Sequence, residues 1–300
     1  MATTKYKNKL KSGMIVKTTW FDIVNILFIL SFAIVVLYPF YNSILISFTP
    51  QHVYVREPFL LFPKEFTYES YYIVFENRIL FTGMGVTAIV TFLGTLYNIV
   101  LTLGMAYAFT KDFPFRKLLH YLVIFTMFFS GGLIPFYLLI RDMGLMDTYA
   151  SMILPTGLSI AYMTVMGKYF ASLPEELEES AKIEGAGDIT ILMRIIMPLA
   201  VPMIVTFSLY YGIERWNEWW YGMLFIKSPF KQPLQLVLRG IIQAAGATNT
   251  SSHLLEAGII PFSDGVKMAS VVITMTPVMC VYPFLQKYFV QGLAIGAVKG

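Results

Sequence analysis

His52, His120, His253 and Cys280 are the only imidazoles and thiol in this 300-residue chain, and none has a partner at metal-ligand spacing. The one Gly-Lys pair, Gly167-Lys168, has Tyr162 where a phosphate-cradling loop needs its first glycine and Tyr169 where it needs Ser or Thr. The chain therefore has no route of that kind to ATP hydrolysis. No convergent acid, base and nucleophile set is visible either. Two groups of residues can still do chemistry. The stretch 174–198 holds six carboxylates, Glu175, Glu176, Glu178, Glu179, Glu184 and Asp188. Further on, Glu214, Arg215, Asn217 and Glu218 sit among Tyr210, Tyr211, Trp216, Trp219, Trp220 and Tyr221. This second group reads either as an aromatic belt with snorkelling or paired charges or as the polar lining of a water-filled passage.

The elements that carry these groups are apolar. With 57% hydrophobic and 13% charged residues, the chain has too little polar surface to wrap a soluble core. Apolar runs at 23–48, 79–109, 118–140, 149–167, 199–226 and 268–289 predict six membrane-spanning helices and an all-α polytopic fold. Lys5, Lys7, Lys9, Lys11 and Lys17 precede the first run with no acid before Asp22, and that run is too long for the core of a signal peptide. It reads as an uncleaved span after a cytoplasmic basic segment, 1–22. Lys111, Arg116 and Lys117 place the next connection inside as well, and an even number of spans returns the tail, 290–300, to the cytoplasm. The segments 49–78 and 227–267 then face outward. The net charge of +4 lies in connections, not in a basic patch with interleaved stacking aromatics, which argues against nucleic acid. Cys280 lies in an apolar run and reads as a small packed hydrophobe.

Gly83, Gly85, Gly94 and Gly104 in the second run allow close helix approach and predict an interior helix. Gly131-Gly132 and Pro135 interrupt the third run, Pro155 lies in the fourth, and Pro277 and Pro283 predict a kink or break in the sixth. The acid-rich stretch cannot lie in hydrocarbon, so it forms a water-facing connection between the fourth and fifth spans. Ser172 as N-cap, with Glu175 at the capping-box position, opens a helix that Gly185 and Gly187 end. Asp188 can cap the next helix. Glu175, Glu178, Glu179 and Lys182 share one face of the first helix, with Leu177, Ala181 and Ile183 off it.

The order Glu179-Ser180-Ala181, three residues, Gly185, nine residues, Ile195, one residue, Met197-Pro198 resembles the EAA loop of permease subunits in bacterial binding-protein-dependent ABC importers. Ser180 and Met197 depart from the family's Ala and Leu but keep side chains of similar size. Trp216-Asn217-Glu218, the ending 286–300 and Phe129-Ser130-Gly131-Gly132-Leu133-Ile134-Pro135 are similar to the maltose-permease and lipoprotein-permease branches, the carbohydrate-importing ones. The resemblance implies a type I importer permease fold in the bacterial plasma membrane. It also implies a second related permease, two ATPase subunits that carry the ATP and Mg, an extracytoplasmic sugar-binding protein, and no cofactor on this chain.

Carried over by position, Glu179 pairs with a base on the ATPase and Ser180 and Ala181 permit close approach. Gly185 makes the turn, and Glu184 and Ala186 complete the coupling surface. Tyr210, Tyr211, Trp216, Asn217, Glu218, Trp219 and Trp220 are the candidates for the sugar path, because aromatic faces stack on pyranose rings while Asn217 and Glu218 can bond hydroxyls. Two other readings stand beside this one: an ion-coupled carrier using Glu214 and Glu218, and a membrane-embedded enzyme.

Overall fold

The computed structural model describes residues 19–57, 61–62, 64–248 and 263–297. Most of the basic N-terminal segment, residues 249–262 of the second external segment and the last three residues lie outside the described residues. Among those described, secondary structure is helical throughout.

Three apolar helices run unbroken: α1 (Trp20–Ser47), α4 (Arg78–Ala108) and α15 (Ser263–Ala297). Thr19 and Asp22 close a capping box at the start of α1, the Thr19 amide donating to Asp22 Oδ2 at 2.8 Å. Asn77 caps α4 by accepting from the amides of Ile79 and Leu80. Pro277 and Pro283 do not break α15, which continues eight residues past the expected limit at 289 to Ala297. Membrane helices tolerate such prolines because neighbouring groups and local adjustment satisfy the freed carbonyls.

The other three expected spans are bent helix pairs. α5 (Arg116–Phe128) and α6 (Leu133–Asp142) meet at 114° across the Gly131-Gly132 break. Gly132 has φ +91°, a left-handed value that a glycine adopts without a Cβ penalty. α7 (Ala150–Ile153), extended by the 3₁₀ turn Leu154–Thr156, meets α8 (Ile160–Phe170) at 52°. The third bend corrects the expected span 199–226. Its first residue, Leu199, ends a preceding unit made of α10 (Asp188–Ile191), the π turn Leu192–Ile196 and α11 (Met197–Leu199). That unit meets α12 (Val201–Trp216) at 86°, and α13 (Trp220–Phe225) follows a three-residue break. Counting each bent pair as one crossing gives six apolar spans.

Between them lie the short α2 (Gln51–Arg56) and α3 (Glu69–Glu76), the acid-rich α9 (Glu175–Ile183), and α14 (Leu234–Thr248). α4 is the central helix: α8, α12 and α14 pack on it, while α15 packs on α1 and α12. The largest core cluster joins Leu103, Ala106 and Tyr107 of α4 to Met163, Met166 and Phe170 of α8 and Met203, Phe207 and Tyr211 of α12. The glycine-rich helix is therefore interior, as expected. α1 by contrast keeps nearly all its apolar side chains at the outside of the fold.

Candidate functional site: an acidic coupling helix and a polar strip

The N-cap of α9 is Pro174, not Ser172 as expected. The Ser172 hydroxyl instead donates to the Tyr169 carbonyl at 2.7 Å, tying off the end of α8. Asp188 is the first residue of α10, and Gly187 takes the N-cap position expected for it. The end of α9 follows the reading closely. Gly185 has φ +84°, its amide donates to Lys182 O at 3.0 Å, and the Ala186 amide reaches back to Ala181 O at 2.9 Å. That pair of bonds is a Schellman turn, and it fixes the angle at which the chain leaves the helix.

The face that α9 turns inward differs from the expected one. Ala181 is only 8% exposed and lies in the cluster that contains Tyr107, Phe170 and Ile191. The close approach that its small side chain permits is to this chain's own core. Glu178, grouped with the exposed charges in the sequence, is half-buried and accepts a hydrogen bond from Lys111 Nζ. The same ammonium stands 4.3 Å from the centroid of the Tyr107 ring. Burial disfavours the Lys111 charge, but the bonds to Glu178 and Tyr107 outweigh it and raise its pKa.

Glu175, Glu179, Ser180, Lys182 and Glu184 are exposed, and Ala186 is half-buried against the core cluster. Beside them Ile183 is 87% exposed and Ile189 80%. Ile183 at the end of the anchored α9 and Ile189 on the following α10, next to a row of carboxylates, form a surface that fits a partner protein.

The second group resolves into two roles. Tyr211 is buried: its hydroxyl accepts from the Ser159 amide at 3.0 Å and pairs with the Thr102 hydroxyl at 2.8 Å. Trp216 packs against the cluster of Val74, Leu80, Leu234, Val237 and Ala269. Glu218 Oε1 accepts from the Tyr221 amide at 2.8 Å and caps α13. These three support the fold rather than line an open surface.

The remaining members lie on a line that is exposed at Glu214, Asn217 and Trp220 and half-buried at Tyr210 and Trp219. Tyr210, Glu214 and Asn217 follow one another at helical spacing along α12. Tyr162 of α8 stacks on Tyr210 with centroids 5.8 Å apart and donates its hydroxyl to Glu214 Oε1 at 2.7 Å. Asn217 Oδ1 accepts from Gln235 Nε2 of α14 at 3.2 Å. Arg239, one turn on, lies over the Trp219 ring at 4.2 Å, and Trp220 meets Trp219 edge-on at 5.5 Å. α12 begins at the acidic loop and spans about 24 Å at 1.5 Å per residue, so Asn217 and α14 stand at the far side of the membrane segment. A polar strip on an apolar bundle must face water or a partner, since lipid satisfies none of these groups.

The structural role of Arg215 and the participation of three other residues escape a reading of the sequence as separate segments. Arg215 is 3% exposed and is a structural centre: Nη1 donates to Met152 O at 2.6 Å, and Nη2 to Ile153 O at 3.1 Å and Thr156 O at 2.9 Å. A lone arginine and a lone Asn98 in two apolar runs are the signal that could have paired them. Tyr162, Gln235 and Arg239 carry no local signal, because α8 and α14 meet α12 only in the folded chain.

A bundle of broken apolar helices, an anchored acidic helix with exposed isoleucines on it and just after it at one end, and an open polar strip leading to the other define a membrane transport subunit worked by a partner. The chain belongs to the family described as the binding-protein-dependent transport system inner membrane component, whose model matches residues 99–295. It is thus an inner-membrane permease of an ABC importer, a transport subunit rather than an enzyme, and its family works with an ATPase and a substrate-binding protein. It is 40% identical to Protein LplC of Bacillus subtilis (strain 168) over 281 residues, covering 93% of this chain and 95% of that one. It is 36% identical to the polygalacturonan/rhamnogalacturonan transport system permease protein YtcP of the same organism, covering 95% and 100%. Among solved structures it is similar to a bacterial ABC transporter involved in the import of the acidic polysaccharide alginate. That match has a TM-score of 0.81 and 29% identity and covers 91% of this chain and 98% of the other.

Proposed function

We propose that this chain is one of two related permease halves of an ATP-driven oligosaccharide importer, coupled through α9 and its Schellman turn to one of two ATPase subunits that bind ATP and Mg. Its termini and acidic loop face the cytoplasm, and α14 faces the extracytoplasmic sugar-binding protein. The observation that carries the reading is the construction of α9. Ala181 and the Lys111–Glu178 pair fasten it to the core from behind, while Glu179, Ser180 and Ile183 stand free in front. A merely solvated helix has no need of such an anchor, whereas a helix that transmits force does. Glu179 meets a base on the ATPase, and Gly185 sets the angle of the chain behind it.

Saccharide as cargo is supported by the substrates named for the relatives and by the strip itself. Tyr210, Trp219 and Trp220 offer ring faces, while Asn217 and Glu214 offer bonds for hydroxyls. The Tyr162 bond to Glu214 and the Tyr221 bond to Glu218 give both carboxylates fixed structural partners, which disfavours ion coupling through them. The test is co-purification with the ATPase alongside uptake of labelled oligosaccharide, comparing wild type with Glu179→Arg plus Gly185→Pro. Loss of both association and uptake with normal membrane insertion is expected. Retained association with full uptake would remove α9 from the coupling role.

A further inference from the structure

Resting on the saccharide reading, we infer that Arg239, Trp219, Gln235 and Asn217 form a subsite for the carboxylate of an acidic saccharide, at the end of the strip remote from the acidic loop. The chain uses its two strip-region arginines in opposite ways. Arg215 is buried with its donors satisfied, whereas Arg239 is exposed and makes no hydrogen bond or ion pair to any described residue. Among the described residues its partner is the face of Trp219, at 4.2 Å. Stacking of this kind fixes the guanidinium plane and covers one face, leaving the in-plane N–H edges for a ligand. A planar fork of donors matches a carboxylate bidentately.

The acids near it leave that charge available. Glu214 Oε1 accepts from the Tyr162 hydroxyl at 2.7 Å and Glu218 Oε1 from the Tyr221 amide at 2.8 Å, and neither pairs with Arg239. Gln235, one turn before Arg239 on α14, donates to the Asn217 carboxamide at 3.2 Å, so one amide dipole is already oriented by the other. The exposed indole of Trp220 stands edge-on to Trp219 at 5.5 Å. A cation stacked on Trp219, the Gln235 amide one turn before it on α14, the Asn217 amide bonded to Gln235, and the adjoining indole of Trp220 make a set that recognises a sugar ring bearing a carboxylate. An acidic side chain of a docked protein would use the cation but has no call on the amides and indoles together.

The experiment measures equilibrium binding to the purified permease–ATPase complex in lipid nanodiscs, without the binding protein. The probes are trimers of galacturonate and of mannuronate and the full methyl esters of both, which keep the ring and remove the charge. In at least one pair the acid is expected to bind about tenfold tighter than its ester, as a charged hydrogen-bonded pair warrants. Arg239→Gln should abolish that difference by weakening acid binding far more than ester binding, and Arg239→Lys, which lacks the planar fork, should keep only part of it. The wild-type comparison of acid with ester needs no variant to fold. No acid preference in either pair, or a preference that survives Arg239→Gln, overturns the subsite. So does an Arg239→Gln complex that loses affinity only for the binding protein, since the arginine is then a protein contact. Uptake measured in parallel separates the two readings: import of neutral oligosaccharides without acid preference removes the subsite alone, and import of no saccharide removes the saccharide reading beneath it.

Discussion

Arg215 and Asn98, 117 positions apart, meet in the interior of the bundle, with Nε and Nη2 of the arginine donating to one amide oxygen at 3.1 and 2.8 Å. The Asn98 amide nitrogen in turn donates to the carbonyls of Thr156 and Gly157 at the bend between α7 and α8. A single polar knot therefore ties α4, α12 and the broken fourth span together. Bends free carbonyls that an unbroken helix would satisfy, and here the arginine collects those of Met152, Ile153 and Thr156. Asn98→Ala leaves part of a buried cation unpaired and should lower unfolding stability by about 3 kcal/mol. Thermal unfolding of the detergent-solubilised chain checks this. Arg215→Lys should be similarly damaging, because one ammonium cannot reach three carbonyls and an amide at once.

The knot also dictates a glycine. A Cβ on Gly94 would stand 2.9 Å from Arg215 Nε and 3.0 Å from its Cδ. The arginine cannot retreat without losing bonds, so Gly94→Ala should destabilise by about 1–3 kcal/mol. Gly104, on the same helix, has nothing within 4 Å of where a Cβ would be. Gly104→Ala should leave the melting temperature of the isolated chain unchanged or slightly raised, through the lower entropy of the unfolded chain. Equal losses at the two sites would mean that helix approach in general, not the arginine, excludes the methyl group.

Lys111 and Glu178 should govern how much ATP hydrolysis reaches the bundle. The pair is half-buried, with side chains 22% and 23% exposed, and joins α9 to the end of α4. Its static contribution is about 1 kcal/mol after screening, too small to decide folding. Lys111→Glu should leave ATPase association intact yet lower saccharide uptake per ATP hydrolysed several-fold, and Lys111→Glu with Glu178→Lys should restore much of it. Because the ammonium pKa is raised on folding, the bond is complete below the ordinary lysine value and fails only as pH rises beyond it. Coupling should therefore be flat in pH around neutrality. Uptake that follows ATPase activity one for one in every variant would reduce the pair to packing.

What was legible in the sequence tracks how local its cause is. Gly185 ends α9 as read, because a left-handed turn after a short helix is decided within six residues. The Gly131-Gly132 break was visible for the same reason, though not its 114° angle, which packing sets. Hydropathy located six apolar stretches but joined α12 to α13 and to the residues before Val201, since a window average cannot see where a helix turns. The aromatic group reads as one set in the sequence: Tyr211 and Trp216 look identical in composition to Tyr210 and Trp219, and only the approach of α4 and α14 to one face of α12 separates them. Ala181 was misplaced in the same way, small enough to meet a partner but claimed first by the core.

Asp147 supplies a test at the opposite end of the molecule from α9. It holds φ +57°, and its carboxylate accepts from the amides of Lys227 and Ser228 at 3.1 and 2.9 Å, the Ser228 hydroxyl at 2.6 Å and Lys231 Nζ at 3.1 Å. Those donors, led by the Ser228 hydroxyl and amide and by Lys231, hold its pKa well below the usual carboxylate range. A depressed folded pKa contributes stability above the unfolded value of about 3.9 and loses it only as pH falls through the lower folded value. The latch on the segment leading to α14 should thus be intact from neutrality down to about pH 4. Asp147→Asn keeps an acceptor for the amides and suits a left-handed backbone, so it should lower the melting temperature modestly. Asp147→Ala removes every side-chain bond and adds strain at that φ, and should lower it further. Protease cleavage within 227–248 should rise in the same order, and equal behaviour of the two variants would show that Lys231, not the amide cradle, holds the segment.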